Sequence, residues 1–368
     1  MTGRRKKPRV RVWRFVALVA VYGVAILFAF ELAGRCTYFR RHGMSLWSPA
    51  RDLAYRYYPD VRGVLSTPPN DDVHVLILGG STLNAGLCDV DVRLQRGLSD
   101  LLSRKVQVFN LAMPAQGSLD SYYKYWLLRD RPFDLVVLYN GINELRANAV
   151  PDDVWQDDYS HYAWYADVNF YFRHEALARY GFILPYYLHH KLVYLDKVLH
   201  KDHRVPYNSA HIRPDWMHFG STIRSAKPFR ANLERTIALA QRKREPVLLM
   251  TFAYAIAPNY SRERFEQGQL GYDRSKPGHP VELWGLPEHV AKGLQVHNDI
   301  LRDTAAAHQL LFVDEEALMG HDPRYFIDVC HLSPSGSARF ADHIMMELRR
   351  RKFHPPMSHS KPLVTSHG

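Results

Sequence analysis

The sequence is poor in cysteine, with only Cys36, Cys88 and Cys330 among its 368 residues. Three scattered cysteines cannot form the paired framework that holds small secreted domains together. Histidine is plentiful, with 20 residues, but none stand at the spacing typical of paired metal ligands. His189 and His190 are adjacent, and adjacent side chains on a helix point in different directions. These absences predict a fold without a disulfide framework and without a metal site.

Positive charge is concentrated at one end of the chain. Residues 1–34 carry seven basic side chains and one acid, Glu31. The remainder has 41 basic and 36 acidic residues, so its net charge is +5, against +11 for the whole chain. Nucleic-acid binding needs a dense basic surface, and a mildly basic remainder gives it little support. No nucleic-acid partner is therefore predicted.

One long apolar run is present. Residues 15–30 contain no charged side chain and are bracketed by Arg14 and Glu31. With its flanks the run reaches the lower limit of about 17 residues for a spanning helix. Basic residues ahead of such a run hold the amino terminus in the cytoplasm, which predicts a single-pass anchor over 15–33 and a periplasmic or extracellular remainder. A cleaved signal peptide is the alternative, although Glu31-Leu32-Ala33 matches a cleavage site poorly.

Five short apolar runs separated by helical patterns indicate the fold class. Leu94 and Leu98 share one helical face, as do Leu233 and Ile237. Strands that alternate with helices predict an α/β protein whose doubly wound parallel sheet is covered on both faces. The runs are rich in branched apolar residues, as buried strands are, and lie at Val73–Leu78, Val106–Phe109, Asp134–Tyr139, Pro246–Met250 and Leu310–Val313.

Side chains suited to acyl transfer stand at matching points of this pattern. Ser81 follows the first predicted strand and Asn143 follows the third, and sites in such sheets form beyond the carboxyl ends of the strands. Asp328 and His331 lie three residues apart, so one turn can set the carboxylate against the imidazole. A hydroxyl nucleophile needs an imidazole base, and the base needs a carboxylate to fix its tautomer. The pattern predicts a Ser-His-Asp site.

Each element also has a purely structural explanation. A Gly-Gly-Ser-Thr loop after a strand can cap a helix or bind phosphate, and the loop around Asn143 can be a turn. Asp328 and His331 can be a hydrogen-bonded loop pair, while Ser333 and Pro334 can begin the last helix as its cap and first residue. The combined order favours catalysis. The motif Gly-x-Ser-x-Gly is absent, which argues against the other common serine-hydrolase architecture.

Four blocks occur in a specific order: Gly79-Gly80-Ser81-Thr82, Asn110–Gly117, Gly141-Ile142-Asn143-Glu144 and Asp328–Leu332. This order resembles the SGNH hydrolases, also called GDSL hydrolases, over roughly Val73 to Leu348. The resemblance implies a flavodoxin-like sheet, with Ser81 as nucleophile, His331 as base and Asp328 as its orienter. It also implies an oxyanion hole formed by the Ser81 amide, a block-two amide and the Asn143 side chain. No metal or organic cofactor is implied.

Three positions depart from the family pattern. The first block reads Gly-Gly-Ser-Thr rather than Gly-Asp-Ser-Leu, and Glu144 stands where the family usually has aspartate. The block-two glycine aligns with Ala115, five residues after Asn110. Only a backbone N–H is needed there, so alanine can serve if its φ is negative. Gly117 is the competing assignment, and the sequence leaves both open.

The remaining segments complete the predicted organisation. The first insertion is crowded with aromatic residues and the second holds Trp284. The insertions form either a lid or substrate wall at the working edge, or a small secondary core. The predicted segments are a basic cytoplasmic amino terminus (1–14), an anchor (15–33), a linker or stalk (34–72), an SGNH hydrolase-like domain (73–352) with insertions at about 146–226 and 257–287, and a disordered tail (353–368).

These observations predict a membrane-anchored serine ester hydrolase of SGNH type. The resemblance and the location together imply an O-acyl group on an envelope glycan, or a similar small ester, as the substrate. One alternative is an O-acyltransferase that uses the same Ser81 intermediate. Another is a non-catalytic glycan-binding or assembly protein that retains the sheet.

Overall fold

A five-stranded parallel sheet is the centre of the fold in the computed structural model, which describes residues 9–48, 50–68, 70–179, 181–199 and 212–356. The strand order is β2-β1-β3-β4-β5, which is the flavodoxin-like order. The predicted α/β doubly wound sheet is confirmed, and each strand matches a predicted run to within one residue at either end. The strands are β1 (Val73–Gly79), β2 (Val106–Asn110), β3 (Leu135–Tyr139), β4 (Val247–Met250) and β5 (Leu311–Val313).

Helices occupy most of the remaining described residues. The α-helices are α1 (Arg9–His42), α2 (Ala54–Tyr57), α3 (Asp60–Ser66), α4 (Val90–Leu102), α5 (Ser118–Leu127), α6 (Ala163–Arg173), α7 (Glu175–Arg179), α8 (Leu184–Leu199), α9 (Ala226–Lys243), α10 (Arg262–Glu266), α11 (Pro287–Ala307), α12 (Glu315–Met319) and α13 (Pro334–Arg350). Short 3-10 helices lie at Ala50–Leu53, Ser81–Leu83, Asn143–Asn148, Pro214–Ser221, Val281–Leu283 and Pro323–Tyr325.

Two groups of helices cover the sheet. Helix α4 packs against α13, and α9 packs against α5 and α11. The connection through α4 leads from β1 to β2 on one side of β1. The later connections lead to β3, β4 and β5, which lie on the other side of β1. Right-handed crossovers therefore place the two groups on opposite faces. Strands β1 and β3 are accordingly buried along their whole length.

The chain divides into two units, and the sheet lies entirely in the second. The first unit comprises Met1–Tyr57 with Tyr162–Arg204, and the second comprises Tyr58–His161 with Val205–Gly368. All four of the blocks singled out in the sequence belong to the second unit. The candidate site can therefore be described within that unit alone.

Helix α1 is the one candidate membrane span among the described residues. Its segment Val12–Arg41 has 30 residues and a mean hydropathy of 2.4, and none of its most apolar stretch is buried in the protein. The predicted anchor, 15–33, lies inside this segment. A spanning anchor and a signal sequence share this length and composition.

Within the first unit, side chains from the second half of α1 bond to the backbone at the start of α8. The Glu31 carboxylate accepts the N–H groups of Ile183 and Leu184, at 3.0 and 2.7 Å, where α8 begins. Arg35 donates both to Glu31, at 2.8 Å, and to the Gly181 carbonyl, at 2.7 Å. An acid at the amino end of a helix satisfies N–H groups that have no partner within the helix. The charged residue after the apolar run therefore has a structural role.

The segments predicted as linker and tail contain packed residues. Residues 34–72 include the end of α1 and helices α2 and α3, and Leu53 and Val61 are buried. At the other end, Phe353 is buried and its N–H donates to the carbonyl of Leu348. Packing therefore extends into the start of the predicted tail, and residues 357–368 lie outside the described residues.

The aromatic residues of the first insertion pack within each unit. In the first unit the Phe170 ring stacks on His189, with 3.8 Å between the ring centroids. In the second unit Val150, Val154 and Trp216 form a small buried cluster of their own. These contacts favour a small secondary core as the role of these side chains.

Helix α13 begins with Ser333 as its cap and Pro334 as its first residue, which is the structural explanation that the sequence offered for this pair. The Ser333 hydroxyl accepts the N–H of Gly336 at 3.1 Å and donates to the carbonyl of Arg324 at 3.0 Å. The side chain is fully buried. The cap thus fixes where block four ends and α13 starts.

We expect Ser333→Ala to lower the free energy of unfolding by about 1–2 kcal/mol, because an N-cap is lost. Ser99→Ala is the matched control, since Ser99 lies inside α4 and its hydroxyl bonds to the carbonyl of Gln95 on the same helix. Alanine favours a helix interior, so the control should be neutral or slightly stabilising. Urea unfolding of the detergent-solubilised chain measures both. Equal effects of the two substitutions would contradict the capping role.

Candidate active site

Ser81 lies just beyond the carboxyl end of β1. Strand β1 ends at Gly79, and Ser81 begins a short 3-10 helix. Gly80, between them, has no room for a side chain, because an added Cβ would lie 2.6 Å from Nδ2 of Asn143. Its φ of −91° is ordinary, so the glycine serves close approach rather than backbone freedom. The amide of Asn143 is therefore held against the backbone that carries Ser81.

Ser81, His331 and Asp328 form a continuous chain of hydrogen bonds. Nε2 of His331 lies 2.7 Å from Oγ of Ser81, and Nδ1 of His331 lies 2.7 Å from Oδ2 of Asp328. Because Nδ1 donates to the carboxylate, Nε2 is the acceptor for the serine hydroxyl. All three side chains are buried. The geometry is that of a serine whose proton can pass to an oriented imidazole.

The Asp328 carboxylate is surrounded by N–H donors. Oδ1 accepts the amides of Cys330 and His331, each at 2.9 Å, and Oδ2 accepts the His331 ring and the amide of His279 at 2.9 Å. Burial by itself raises the pKa of Asp328. The His331 ring and the amides of His331 and Cys330 outweigh burial and hold the pKa below its ordinary value. The carboxylate is therefore ionised and can stabilise a positive charge on His331.

The fourth donor to Asp328 comes from the second insertion and was not identified from the sequence. The His279 amide reaches the carboxylate because residue 278 is glycine. A Cβ at Gly278 would lie 2.5 Å from the carbonyl oxygen of Ile327 and 2.9 Å from Cβ of Asp328. The His279 ring also lies near the His331 ring, with 5.8 Å between their centroids. A Gly-His pair in a turn-rich segment carries no sequence signal for this contact.

Asn143 is held at both ends of its side-chain amide. Nδ2 donates to the carbonyl of Gln116 in block two at 2.8 Å. Oδ1 accepts the indole N–H of Trp284 at 3.2 Å. The sequence placed Trp284 in the second insertion but did not connect it with the third block. The structure thus brings the predicted Asn143 to Ser81 and adds Trp284 beside it.

The two candidate block-two amides differ in their surroundings. Ala115 has a φ of +62°, so the condition of a negative φ is not met. The left-handed region costs a residue with a Cβ about 1–2 kcal/mol, which explains why glycine is favoured at such a position. The N–H of Gly117 donates to Oδ2 of Asp120 at 2.9 Å and so helps cap α5. That bond argues against Gly117 as an oxyanion donor.

Glu144 is a buried carboxylate next to Asn143. Its Oε1 accepts the amide of Ser118 at the start of α5. Its Oε2 is buried without a hydrogen-bond partner in the described part of the chain. Burial raises the pKa of Glu144 to about 7. Glu144 thus joins the third block to the helix that follows block two.

We expect Glu144→Gln to change how stability depends on pH. The folded chain keeps a proton on Glu144 up to a pKa of about 7, whereas the unfolded chain releases it near 4.5. Fewer protons are bound in the unfolded state across this window, so wild-type stability falls as pH rises through it. Glutamine still accepts from Ser118 but cannot ionise. The variant should therefore gain up to about 3 kcal/mol relative to wild type between pH 5 and pH 8.

Urea unfolding of the detergent-solubilised chain at both pH values measures this difference. The buried Glu315, whose pKa burial also raises to about 7, is present in both proteins and cancels. Glu266→Gln, on the exposed helix α10, is the matched control for the loss of one carboxylate. A Glu144→Gln effect that is the same at pH 5 and pH 8 would rule out this titration.

Cys330 lies within block four and packs beside the site. Ligand atoms of Asp328, Cys330 and His331 lie within 4.8 Å of one another, a spacing that a metal ion could use. Both ring nitrogens of His331 are already hydrogen-bonded, however, and burial raises the pKa of the Cys330 thiol well above its ordinary value. Metal ligation needs a thiolate. The group fits the Ser81 hydrogen-bond chain better than a metal site.

A second serine–histidine pair lies beneath the third block. Oγ of Ser225 is 3.0 Å from Nε2 of His297, and Nδ1 of His297 lies 2.8 Å from the carbonyl oxygen of Gly141. Both side chains are fully buried, and burial lowers the pKa of His297 to about 4. The pair therefore holds the Gly141 loop in place rather than reacting with a substrate.

No protein-family model matches the chain, and no curated protein matches it. Solved structures do. A lipase/acylhydrolase from Enterococcus faecalis is 17% identical, with 78% of this chain and 100% of that chain covered, at a TM-score of 0.38. A GDSL-like lipase from Bacteroides thetaiotaomicron is 13% identical, with 82% of this chain and 99% of that chain covered, at a TM-score of 0.37. The acetylxylan esterase Axe2 from Geobacillus stearothermophilus is 14% identical, with 75% of this chain and 94% of that chain covered, at a TM-score of 0.40.

The four blocks come together within the second unit. Block one contacts block four through Ser81 and His331, and block two contacts block three through Gln116 and Asn143. Each of the first three blocks follows the carboxyl end of a strand. In this arrangement of four blocks on a flavodoxin-like sheet, the chain resembles the SGNH hydrolases.

Proposed function

We propose that the chain is a membrane-anchored serine ester hydrolase of SGNH type. The observation that carries the proposal is the buried hydrogen-bond chain from Ser81 through His331 to Asp328, with both bonds at 2.7 Å. A serine with a loosely placed histidine would not support it. Here the base is fixed in tautomer and direction by an ionised carboxylate.

In the proposed reaction, Ser81 attacks the carbonyl carbon of an ester. Its proton passes to Nε2 of His331 as the Oγ–carbon bond forms, and Asp328 stabilises the imidazolium. The tetrahedral intermediate collapses by breaking the bond to the leaving alcohol, which takes the proton from His331. Water then attacks the acyl carbon and gives a proton to His331. The second tetrahedral intermediate collapses by breaking the bond between Oγ of Ser81 and the acyl carbon, which releases the carboxylic acid, and Ser81 recovers the proton from His331.

The negative charge on the tetrahedral oxygen needs donors in place before it forms. The Ser81 amide and Nδ2 of Asn143 are assigned as two of these donors, since Nδ2 would lie 2.6 Å from a Cβ at Gly80 and Ser81 is the next residue. Block two offers the third donor: the Gly117 N–H is bonded to Oδ2 of Asp120, which argues against it, and Ala115 is the other candidate, with a φ of +62° in place of the negative value expected for alanine. Removing one such donor typically slows an acyl transfer by about 10²–10³-fold.

The membrane anchor and the glycan substrate are the finer parts of the proposal. The apolar segment of α1 and the basic residues ahead of it support a single-pass anchor with the amino terminus in the cytoplasm. The second unit then faces the periplasm or the cell exterior. An O-acyl group on an envelope glycan, or a similar ester, is the substrate class that fits this location and the family resemblance.

We expect a fluorophosphonate probe to label the detergent-solubilised chain at Ser81. The probe phosphonylates a serine only when a base activates it, so Ser81→Ala and His331→Ala should each abolish labelling. His308→Ala is the matched control, because its Nε2 also lies 2.7 Å from a carboxylate, that of Glu234 on α9, and it has no part in the proposed reaction. Mass spectrometry of the labelled peptide identifies the residue.

Unlabelled wild-type protein would contradict the proposal and favour a non-catalytic protein. Labelling alone does not separate hydrolysis from transfer, so product analysis with an acylated glycan completes the test. Free acid in the absence of a second glycan supports the hydrolase. Acyl release that occurs only when an acceptor glycan is added would support the transferase.

A further inference from the structure

Trp284 contacts the third block from a distant part of the chain. Its indole Nε1 lies 3.2 Å from Oδ1 of Asn143, and the residue is 3% exposed. The Trp284 ring also lies beside His331, with 6.1 Å between the ring centroids. It therefore borders both the base and the side chain proposed to bind the oxyanion.

A side-chain amide has two ends of similar size and opposite polarity. A half-turn of the Asn143 amide about its Cβ–Cγ bond would exchange Oδ1 and Nδ2. The oxygen Oδ1 would then face the oxyanion in place of an N–H donor. An indole N–H can only donate, and a peptide carbonyl can only accept. Trp284 therefore requires Oδ1 on its side, and the Gln116 carbonyl requires Nδ2 on the other. Both neighbours select the same orientation.

This orientation places Nδ2, the amide donor, against the backbone next to the nucleophile. Nδ2 lies so close to the Gly80 backbone that a Cβ there would be 2.6 Å away, and Ser81 is the next residue. Nδ2 carries two hydrogens, and within the described part of the chain the Gln116 carbonyl takes one of them. The second hydrogen remains for an oxyanion formed at Ser81.

We propose that Trp284 is a positioning residue that fixes the orientation of the Asn143 amide and so aims the oxyanion donor. The inference rests on the proposed ester hydrolysis. Trp284 acts through Asn143 and does not need to touch the reacting atoms. Its hydrogen bond gives the second insertion a role in the reaction besides the His279 amide on Asp328.

The size of the effect follows from what remains when the indole N–H is lost. The Gln116 carbonyl still favours the productive orientation of the Asn143 amide. The Asn143 donor is therefore less often correctly oriented, but it is still present. Loss of the whole donor is expected to reduce kcat about 10²-fold, and loss of one of its two orienting bonds about tenfold. KM should change little, because the donor acts on charge that develops in the transition state.

The test is a double-mutant cycle on the detergent-solubilised full chain with p-nitrophenyl acetate as the probe. Trp284→Phe keeps an aromatic ring beside His331 and removes the N–H. We expect kcat to fall about tenfold for Trp284→Phe and about 10²-fold for Asn143→Ala. The double variant should match Asn143→Ala alone, since Trp284 then has no amide to orient.

Tyr260→Phe is the matched control. The Tyr260 hydroxyl bonds to Glu282 and to the amide of Val281, each at 2.9 Å, in the same insertion but without contact to Asn143. The Tyr260→Phe variant shows whether losing any hydrogen bond within this insertion lowers kcat. We expect its kcat to stay within about twofold of wild type. Replacement of Trp284 by benzothienylalanine, which exchanges N–H for sulfur in the same ring shape, repeats the test if phenylalanine impairs folding.

The possible outcomes separate this inference from the proposed function. If wild type hydrolyses the probe no faster than Ser81→Ala, the proposed hydrolase itself is wrong. If wild type is active and Trp284→Phe slows Asn143→Ala by the same factor as it slows wild type, Trp284 acts by packing and the inference is overturned. Unchanged kcat in the benzothienylalanine protein would overturn it equally.

Discussion

The carboxylate of Asp328 is fully buried, and a buried carboxylate must find hydrogen-bond donors to replace the water it has lost. Its donors come from block four itself and from the amide of His279 in the second insertion. Satisfying this one charge fixes two separate segments against each other. The same charge orients His331, and only an oriented His331 can reach Ser81 across the sheet edge.

The loops around this group are held by polar side chains rather than by regular secondary structure. Asn143 bonds to block two, and Glu144 next to it bonds to the amide of Ser118 at the start of α5. Beneath them the fully buried His297 holds the Gly141 carbonyl. Each bond satisfies a group that burial would otherwise leave unpaired, so the loops cannot move independently without a large loss of hydrogen bonding. Donors fixed in this way need little rearrangement when charge develops on a substrate.

Much of the fold was predictable because its signals are local. A buried parallel strand needs a run of branched apolar residues, so all five strands could be read from the chain to within a residue. The Ser333 cap was readable for the same reason. The left-handed backbone of Ala115 was not, since alanine gives no sequence signal for a positive φ. Nor were the contacts of His279 and Trp284, whose partners lie 49 and 141 residues away.

The sequence by itself determined the order of strands and helices, the apolar amino-terminal segment and the identity of Ser81, Asn143, Asp328 and His331 as candidates. Local patterning suffices for these, because secondary structure and chemical type depend on near neighbours. Only the tertiary structure decided the backbone conformation of Ala115, which way the Asn143 amide faced and how a buried acid kept its charge. Those outcomes depend on hydrogen-bond geometry between segments far apart in the chain, and that geometry exists only once the sheet has assembled.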